Sequence, residues 1–166
     1  PALAAAAGGP EAGGRRARCD PGSCRGPRKQ ITVTLRGDIV LSDRMRGSGE
    51  VASSDHRSGQ PTLAELLRLA SETHVAGSIS DKAGTLHLHV GDGERGLSLI
   101  DEALRTAEIP ARVYHPTHVN RRKALFEEAL ALARRGCTID VSAFPAGSDD
   151  EWSGADAWHQ YAAADL

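Results

Sequence analysis

Thr85-Leu-His-Leu-His-Val-Gly-Asp-Gly93 is the stretch on which the fold turns. Apolar and polar residues alternate through it, so Leu86, Leu88 and Val90 share one face of a strand and His87 and His89 share the other. Gly91-Asp-Gly93 breaks the run, and an apolar stripe at helical spacing follows in Leu97, Ile100 and Leu104, ending before Pro110. Downstream the order repeats. A strand over 112–116 leads to a helix over 120–135, where Leu125, Ala129, Leu132 and Ala133 line one side and Gly136 supplies a stop. A strand over 138–144, a Gly/Ser/Asp loop and a helix from Gly154 complete the series. Strands separated by single helices need parallel crossovers, so the expected class is α/β, as a sheet or a section of a (β/α)8 TIM barrel.

Upstream, Thr62-Leu-Ala-Glu65 has the form of a capping box. Leu63, Leu66, Leu67 and Ala70 put one apolar face on the helix it opens, which is expected to end near Gly77. Ile31-Thr-Val-Thr-Leu35 alternates in β fashion, and Asp38-Ile-Val-Leu41 is a second short apolar run. Residues 1–30 are Ala/Gly/Pro/Arg-rich and are expected to be poorly ordered, which leaves 31–166 as the partial barrel.

Size and charge narrow the function. The 166 residues fall short of the about 250 that a complete eight-unit barrel takes, so any barrel here is partial. A formal net charge of −2, with acids and bases interspersed, points to neither nucleic acid nor an anionic membrane as partner. Only the first thirty residues lean basic, through Arg15, Arg16, Arg18, Arg25, Arg28 and Lys29, and no aromatic side chain stands among them to stack a base. Cys19, Cys24 and Cys137 have unrelated spacings, which suits a reduced, cytoplasmic chain better than a zinc knuckle or a disulfide framework. No run is long and apolar enough to span a bilayer, and Pro1-Ala-Leu-Ala-Ala-Ala-Ala7 has no basic region ahead of it to make a signal peptide.

The chemistry gathers at the strand ends. In strand-then-helix units, residues at the C-terminal ends of successive strands converge on one face. His89 stands near the end of its strand, and His118, in Val113-Tyr-His-Pro-Thr-His-Val-Asn-Arg121, holds the corresponding place one unit later. Two imidazoles converging there suggest a metal, and zinc asks for three or four donors, often including a carboxylate. Glu50 is the candidate carboxylate. His74, His115 and His159 are not expected to join. Arg57 and Arg121 occupy comparable loop positions, where guanidinium groups are suited to bidentate capture of a substrate carboxylate. Each of these residues has an ordinary structural reading as well: a histidine lining a barrel interior, a surface acid, or an arginine in a surface salt bridge.

Three ordered motifs settle between these readings. Glu50-Val-Ala-Ser-Ser-Asp-His-Arg-Ser-Gly-Gln-Pro-Thr62, Lys82-Ala-Gly-Thr-Leu-His-Leu-His-Val-Gly-Asp-Gly93 and Pro116-Thr-His-Val-Asn-Arg121 together resemble the isoaspartyl (β-aspartyl) dipeptidases of the amidohydrolase superfamily. The resemblance covers roughly residues 31 to 144. It implies a (β/α)8 barrel with two zinc ions at its C-terminal face, at most part of that site being present here. It implies Glu50 as the bridging metal ligand, His89 and His118 as ligands of the second ion, and Arg57 and Arg121 as the residues that bind the dipeptide's carboxylates. The implied reaction is metal-hydroxide attack on the isopeptide carbonyl of a small dipeptide substrate, and a homo-oligomer is compatible with it.

Parts of the family pattern are not found. A His-x-His pair from the first barrel strand does not precede residue 30, and the Ser-Ser-Asp-like motif with the acid/base aspartate would lie beyond Leu166. The family's carbonyl-polarising tyrosine has Cys24-Arg-Gly-Pro27 in its place, and a thiol is a weak donor. Arg46 and Ser48 interrupt what should be an apolar strand leading to Glu50. The expectation is therefore a partial dipeptidase, inactive alone. Two alternatives are a cyclic-amide hydrolase of the dihydroorotase or hydantoinase kind, which would share the metal ligands but not the two arginines, and a non-catalytic metal-binding remnant.

Overall fold

In the computed structural model, residues 3–5, 34–143 and 147–164 are described. Helix α1 (Leu35–Leu41) precedes strand β2 (Gly47–Ser53), and α2 (Leu63–Ser80) leads to β3 (Thr85–Val90). Helix α3 (Ser98–Thr106) leads to β4 (Tyr114–Thr117), α4 (Lys123–Arg134) to β5 (Ile139–Val141), and α5 (Gly154–Ala163) closes the series. A strand β1 (Leu3–Ala5) lies ahead of them all. Strands β2, β3 and β4 form a parallel three-stranded sheet in that order, and β5 pairs in parallel with β1. The alternating, parallel α/β architecture expected from the strand-then-helix repeats is present.

The β3 pattern is realised as read. Leu86, Leu88 and Val90 are fully buried, while Thr85, His87 and His89 are only partly covered. Leu66 and Ala70 of α2, Ile100 and Ala103 of α3, and Leu125, Phe126, Ala129 and Ala133 of α4 join them in one continuous core. The sheet thus has one face sealed by helices and one polar face, and the site is built on the polar one.

Local sequence explains the element ends. Thr62 caps α2: its Oγ1 accepts from the Glu65 backbone N–H at 3.3 Å, and the Glu65 carboxylate accepts from the Thr62 N–H at 2.8 Å. The helix runs three residues past Gly77 and stops at Asp81, which adopts a left-handed backbone with φ of 54°. Gly77 is retained for closeness, because a Cβ there would stand 2.5 Å from the Gly84 Cα in the turn leading to β3.

Five expectations are corrected. Residues 34 and 35 do not extend a strand from Ile31: Thr34 caps helix α1, its side chain accepting from the Gly37 N–H at 3.0 Å, and Ile39 buries completely against its neighbours. Residues 31–33 lie outside the described residues. A two-residue periodicity could not reveal this, since Thr34 is at once a member of the alternating run and the cap of the helix that begins at Leu35. The 38–41 run is helical for the same reason. Strand β2 does not end at Glu50 but continues to Ser53, with a register irregularity against β3 between Ser48 and Val51. Arg46 lies just before the strand and Ser48 inside it, where its Oγ meets Thr73 Oγ1 of α2. The 120–135 helix begins later, at Lys123, because a 3-10 turn over Val119–Arg121 intervenes. Similarly, a 3-10 turn over Ala111–Val113 delays β4 to Tyr114. Strand β5 is described from Ile139 to Val141, and the expected end at Phe144 falls outside the described residues, as does Cys24-Arg-Gly-Pro27.

Candidate metal and substrate site

Glu50, His89 and His118 come together beside the polar face of β2, β3 and the turn after β4. Each offers a ligand atom, and these atoms all lie within 4.8 Å of one another. The His89 and His118 rings stand edge to face with centroids 4.6 Å apart. Among the described residues this is the one group of three or more His, Cys, Asp or Glu side chains arranged to hold an ion, and His74, His115 and His159 are not in it.

The outer nitrogens of both imidazoles are engaged. His89 turns Nδ1 toward Glu50 Oε2 at 3.7 Å and Nε2 toward Asp55 Oδ2 at 3.4 Å. His118 shares a hydrogen bond between Nδ1 and Ser142 Oγ, which leaves Nε2 as its nitrogen for a ligand. An imidazole whose far nitrogen is hydrogen-bonded to an oxygen, as in His118, is fixed in ring orientation, the usual condition of a metal-bound histidine. One carboxylate with two imidazoles is also a donor set suited to zinc. The residues fit the group.

Ser142 is itself held in place. Asn120, fully buried, accepts from the Ser142 backbone N–H through Oδ1 at 2.9 Å and donates through Nδ2 to the Ser142 carbonyl at 3.1 Å and the Trp152 carbonyl at 2.8 Å. His118 has φ of 63°, a left-handed conformation that is uncommon for a residue with a Cβ. Such a backbone costs of order 1–3 kcal/mol and persists where surroundings enforce it. Here the Asn120 bridge and the 3-10 turn enforce it. Burial pushes the His118 imidazole below its ordinary pKa, with the His89 and Arg121 charges adding to the effect and Glu50 opposing it.

The two arginines flank this group differently. Arg57 donates to Asp55 from Nε at 2.9 Å and from Nη2 at 2.6 Å, and Nη2 comes within 3.5 Å of His89 Nε2. Its side chain is 63% exposed. Arg121 ends the 3-10 turn after β4 and is partly covered, with a buried Nε that has no hydrogen-bond partner among the described residues. Asp55, Ser142 and Asn120 were not singled out by sequence reasoning. Asp55 was visible within the quoted Asp-His-Arg segment, but Ser142 and Asn120 have roles set by contacts 22 residues apart in the chain.

The His87 and His115 rings sit 4.2 Å apart, and Asp140 lies on β5. His115 Nε2 and Asp140 Oδ1 are buried without a hydrogen-bond partner among the described residues. Burial, with His87 nearby, pushes His115 down to about 4, and burial with the Glu50 charge pushes Asp140 up to about 6. The two act on stability in opposite senses. Between pH 6.5 and about 4 the unfolded chain takes up a proton that folded His115 refuses, so stability falls as pH falls. Between pH 3.8 and about 6 folded Asp140 keeps a proton the unfolded chain has released, so stability falls as pH rises. In the wild type these slopes largely offset each other. Asp140→Asn removes one of them, and its melting temperature should exceed the wild type's at neutral pH and drop more steeply toward pH 4. Parallel melting curves for the two proteins across that range would contradict the assignment.

No family model matches the chain. Among solved structures it is similar to the β-aspartyl dipeptidase of the thermophilic, keratin-degrading Fervidobacterium islandicum AW-1, at 41% identity and a TM-score of 0.79, over 86% of this chain and 38% of that one. The β-aspartyl dipeptidase of that bacterium in complex with β-Asp-Leu dipeptide matches at 42% identity and a TM-score of 0.77, over 84% of this chain and 36% of that one. The chain thus spans rather more than a third of the length of these proteins. In sequence and in backbone it is a partial match to the β-aspartyl dipeptidases.

Proposed function

We propose that this chain carries the second-ion and substrate-carboxylate part of a zinc-dependent β-aspartyl dipeptidase, laid out on a section of a (β/α)8 barrel. The observation that carries the reading is the convergence of Glu50, His89 and His118 on one point beside the polar face of the sheet. Glu50 would supply carboxylate oxygen, His89 its Nδ1 and His118 its Nε2. Zinc, when bound, supplies Lewis acidity and lowers the pKa of water toward neutrality. Arg57 and Arg121 border the group from two loops, as a pair of cations would to orient a dipeptide by its carboxylates. The presence of both favours a β-aspartyl dipeptide over a cyclic amide, which has no second carboxylate for them to hold.

Within these 166 residues the proton-moving aspartate and the first-strand histidine pair of the family pattern are not found. Binding without turnover is therefore expected. Zinc-loaded chain should bind β-Asp-Leu, measured by calorimetry, and Arg121→Met should weaken that binding while leaving the zinc affinity alone. Equal affinity in the variant would remove Arg121 from the site. Hydrolysis of β-Asp-Leu by these residues alone, abolished in Glu50→Ala, would show that another group moves the proton.

A further inference from the structure

Asp55 is a charged side chain with only 2% of its surface exposed, at the point where the chain leaves β2. Its carboxylate accepts three bonds from Arg57: the backbone N–H at 2.8 Å, Nε at 2.9 Å and Nη2 at 2.6 Å. The same Oδ2 that takes Nη2 faces His89 Nε2 at 3.4 Å. The surrounding backbone allows it little movement. The Asp55 carbonyl accepts from Ser58 N–H and Gln60 Nε2, both at 3.0 Å, and a Cβ at Gly91 would stand 2.6 Å from Asp55 Cα and Cβ.

We propose that Asp55 is a positioning residue that ties the metal end of the site to its substrate end, holding His89 with its proton on Nε2 and Arg57 beside the same imidazole. The proposal rests on the dipeptidase reading of Glu50, His89 and His118 for its consequence, but not for its geometry. Three charges bear on the His89 proton. The Arg57 guanidinium, within hydrogen-bond reach of Nε2 at 3.5 Å, favours a bare Nε2, the Glu50 carboxylate 3.7 Å from Nδ1 favours an N–H there, and the Asp55 carboxylate, at 3.4 Å, favours an N–H on Nε2. Asp55 carries the larger weight because it is the nearer carboxylate and only 2% exposed, whereas Glu50 is 48% and Arg57 63% exposed, and Arg57 already donates to Asp55. With the proton on Nε2, the lone pair of His89 lies on Nδ1, the nitrogen turned toward Glu50. One buried carboxylate thereby sets the ligand nitrogen of the imidazole and the resting place of the arginine together.

The test compares the full chain with Asp55→Asn and Arg57→Met, using zinc alone as the metal probe. Long-range proton–nitrogen correlation spectra of 15N-labelled chain, recorded without any metal, report which ring nitrogen of His89 carries the proton. The expected result is an Nε2–H tautomer in the wild type and in Arg57→Met, lost or mixed in Asp55→Asn. The zinc dissociation constant should rise 10–100-fold in Asp55→Asn, the loss usual for an outer partner of a metal-bound histidine, and stay unchanged in Arg57→Met. A wild-type His89 protonated on Nδ1 overturns the proposal, and needs no variant to fold. So does an Asp55→Asn chain that folds with the same tautomer and zinc affinity as the wild type. If the wild type binds no zinc while the tautomer still depends on Asp55, the metal reading fails and the positioning role stands.

Discussion

Replacing His118 with asparagine should raise the zinc dissociation constant more than 100-fold while leaving the fold intact. Zinc needs three or four donors, and the site described here offers three, so the loss of one imidazole leaves two. Removing a mere outer partner already costs about 10–100-fold in metal affinity, and a ligand must cost more. Asparagine is the informative substitution because it tolerates the left-handed backbone that His118 adopts at φ of 63°. Zinc competition against a chromophoric chelator gives the affinity, and a urea titration of the same sample shows whether folding has changed. An unchanged affinity with an unchanged urea midpoint would place the ion elsewhere.

Phe126→Ala should lower the unfolding free energy by about 3–5 kcal/mol, the range for truncating a fully buried aromatic. Phe126 is completely enclosed on α4 and belongs to the continuous core with Leu88, Val90 and Leu125. Against the roughly 5–15 kcal/mol that holds an ordinary domain together, this is a large share. Trp158, as large but half exposed on α5, should lose far less on the same truncation. Urea denaturation at constant slope measures both, and a Phe126→Ala cost below about 1 kcal/mol would mean that the cavity collapses or that α4 packs otherwise.

What could be read from the sequence followed the strength of local signals. Strand β3 was legible to its ends, because six alternating residues are bounded by glycines, and the start of α2 was legible because a capping box announces itself within four residues. Glu50, His89 and His118 were legible as a group through their place in three motifs, although only the fold could bring residues 68 positions apart within reach. Helix α1 was misread because the cap at Thr34 lies inside an alternating run, where one side-chain hydrogen bond outweighs the pattern. The pairing of β5 with Leu3–Ala5 had no signal at all, since three small and apolar residues in an alanine-rich stretch carry no periodicity.

The alternation along β3 also separates two kinds of change. Leu86, Leu88 and Val90 answer to the helices, and substitutions there register first as lost stability. His87 and His89, one position off each of them, answer to whatever occupies the polar face. A sheet sealed on one side and open on the other can therefore exchange its ligand-facing residues, and with them its chemistry, at little risk to folding. Selection can act on the two rows of side chains almost independently, although a single stretch of backbone encodes both.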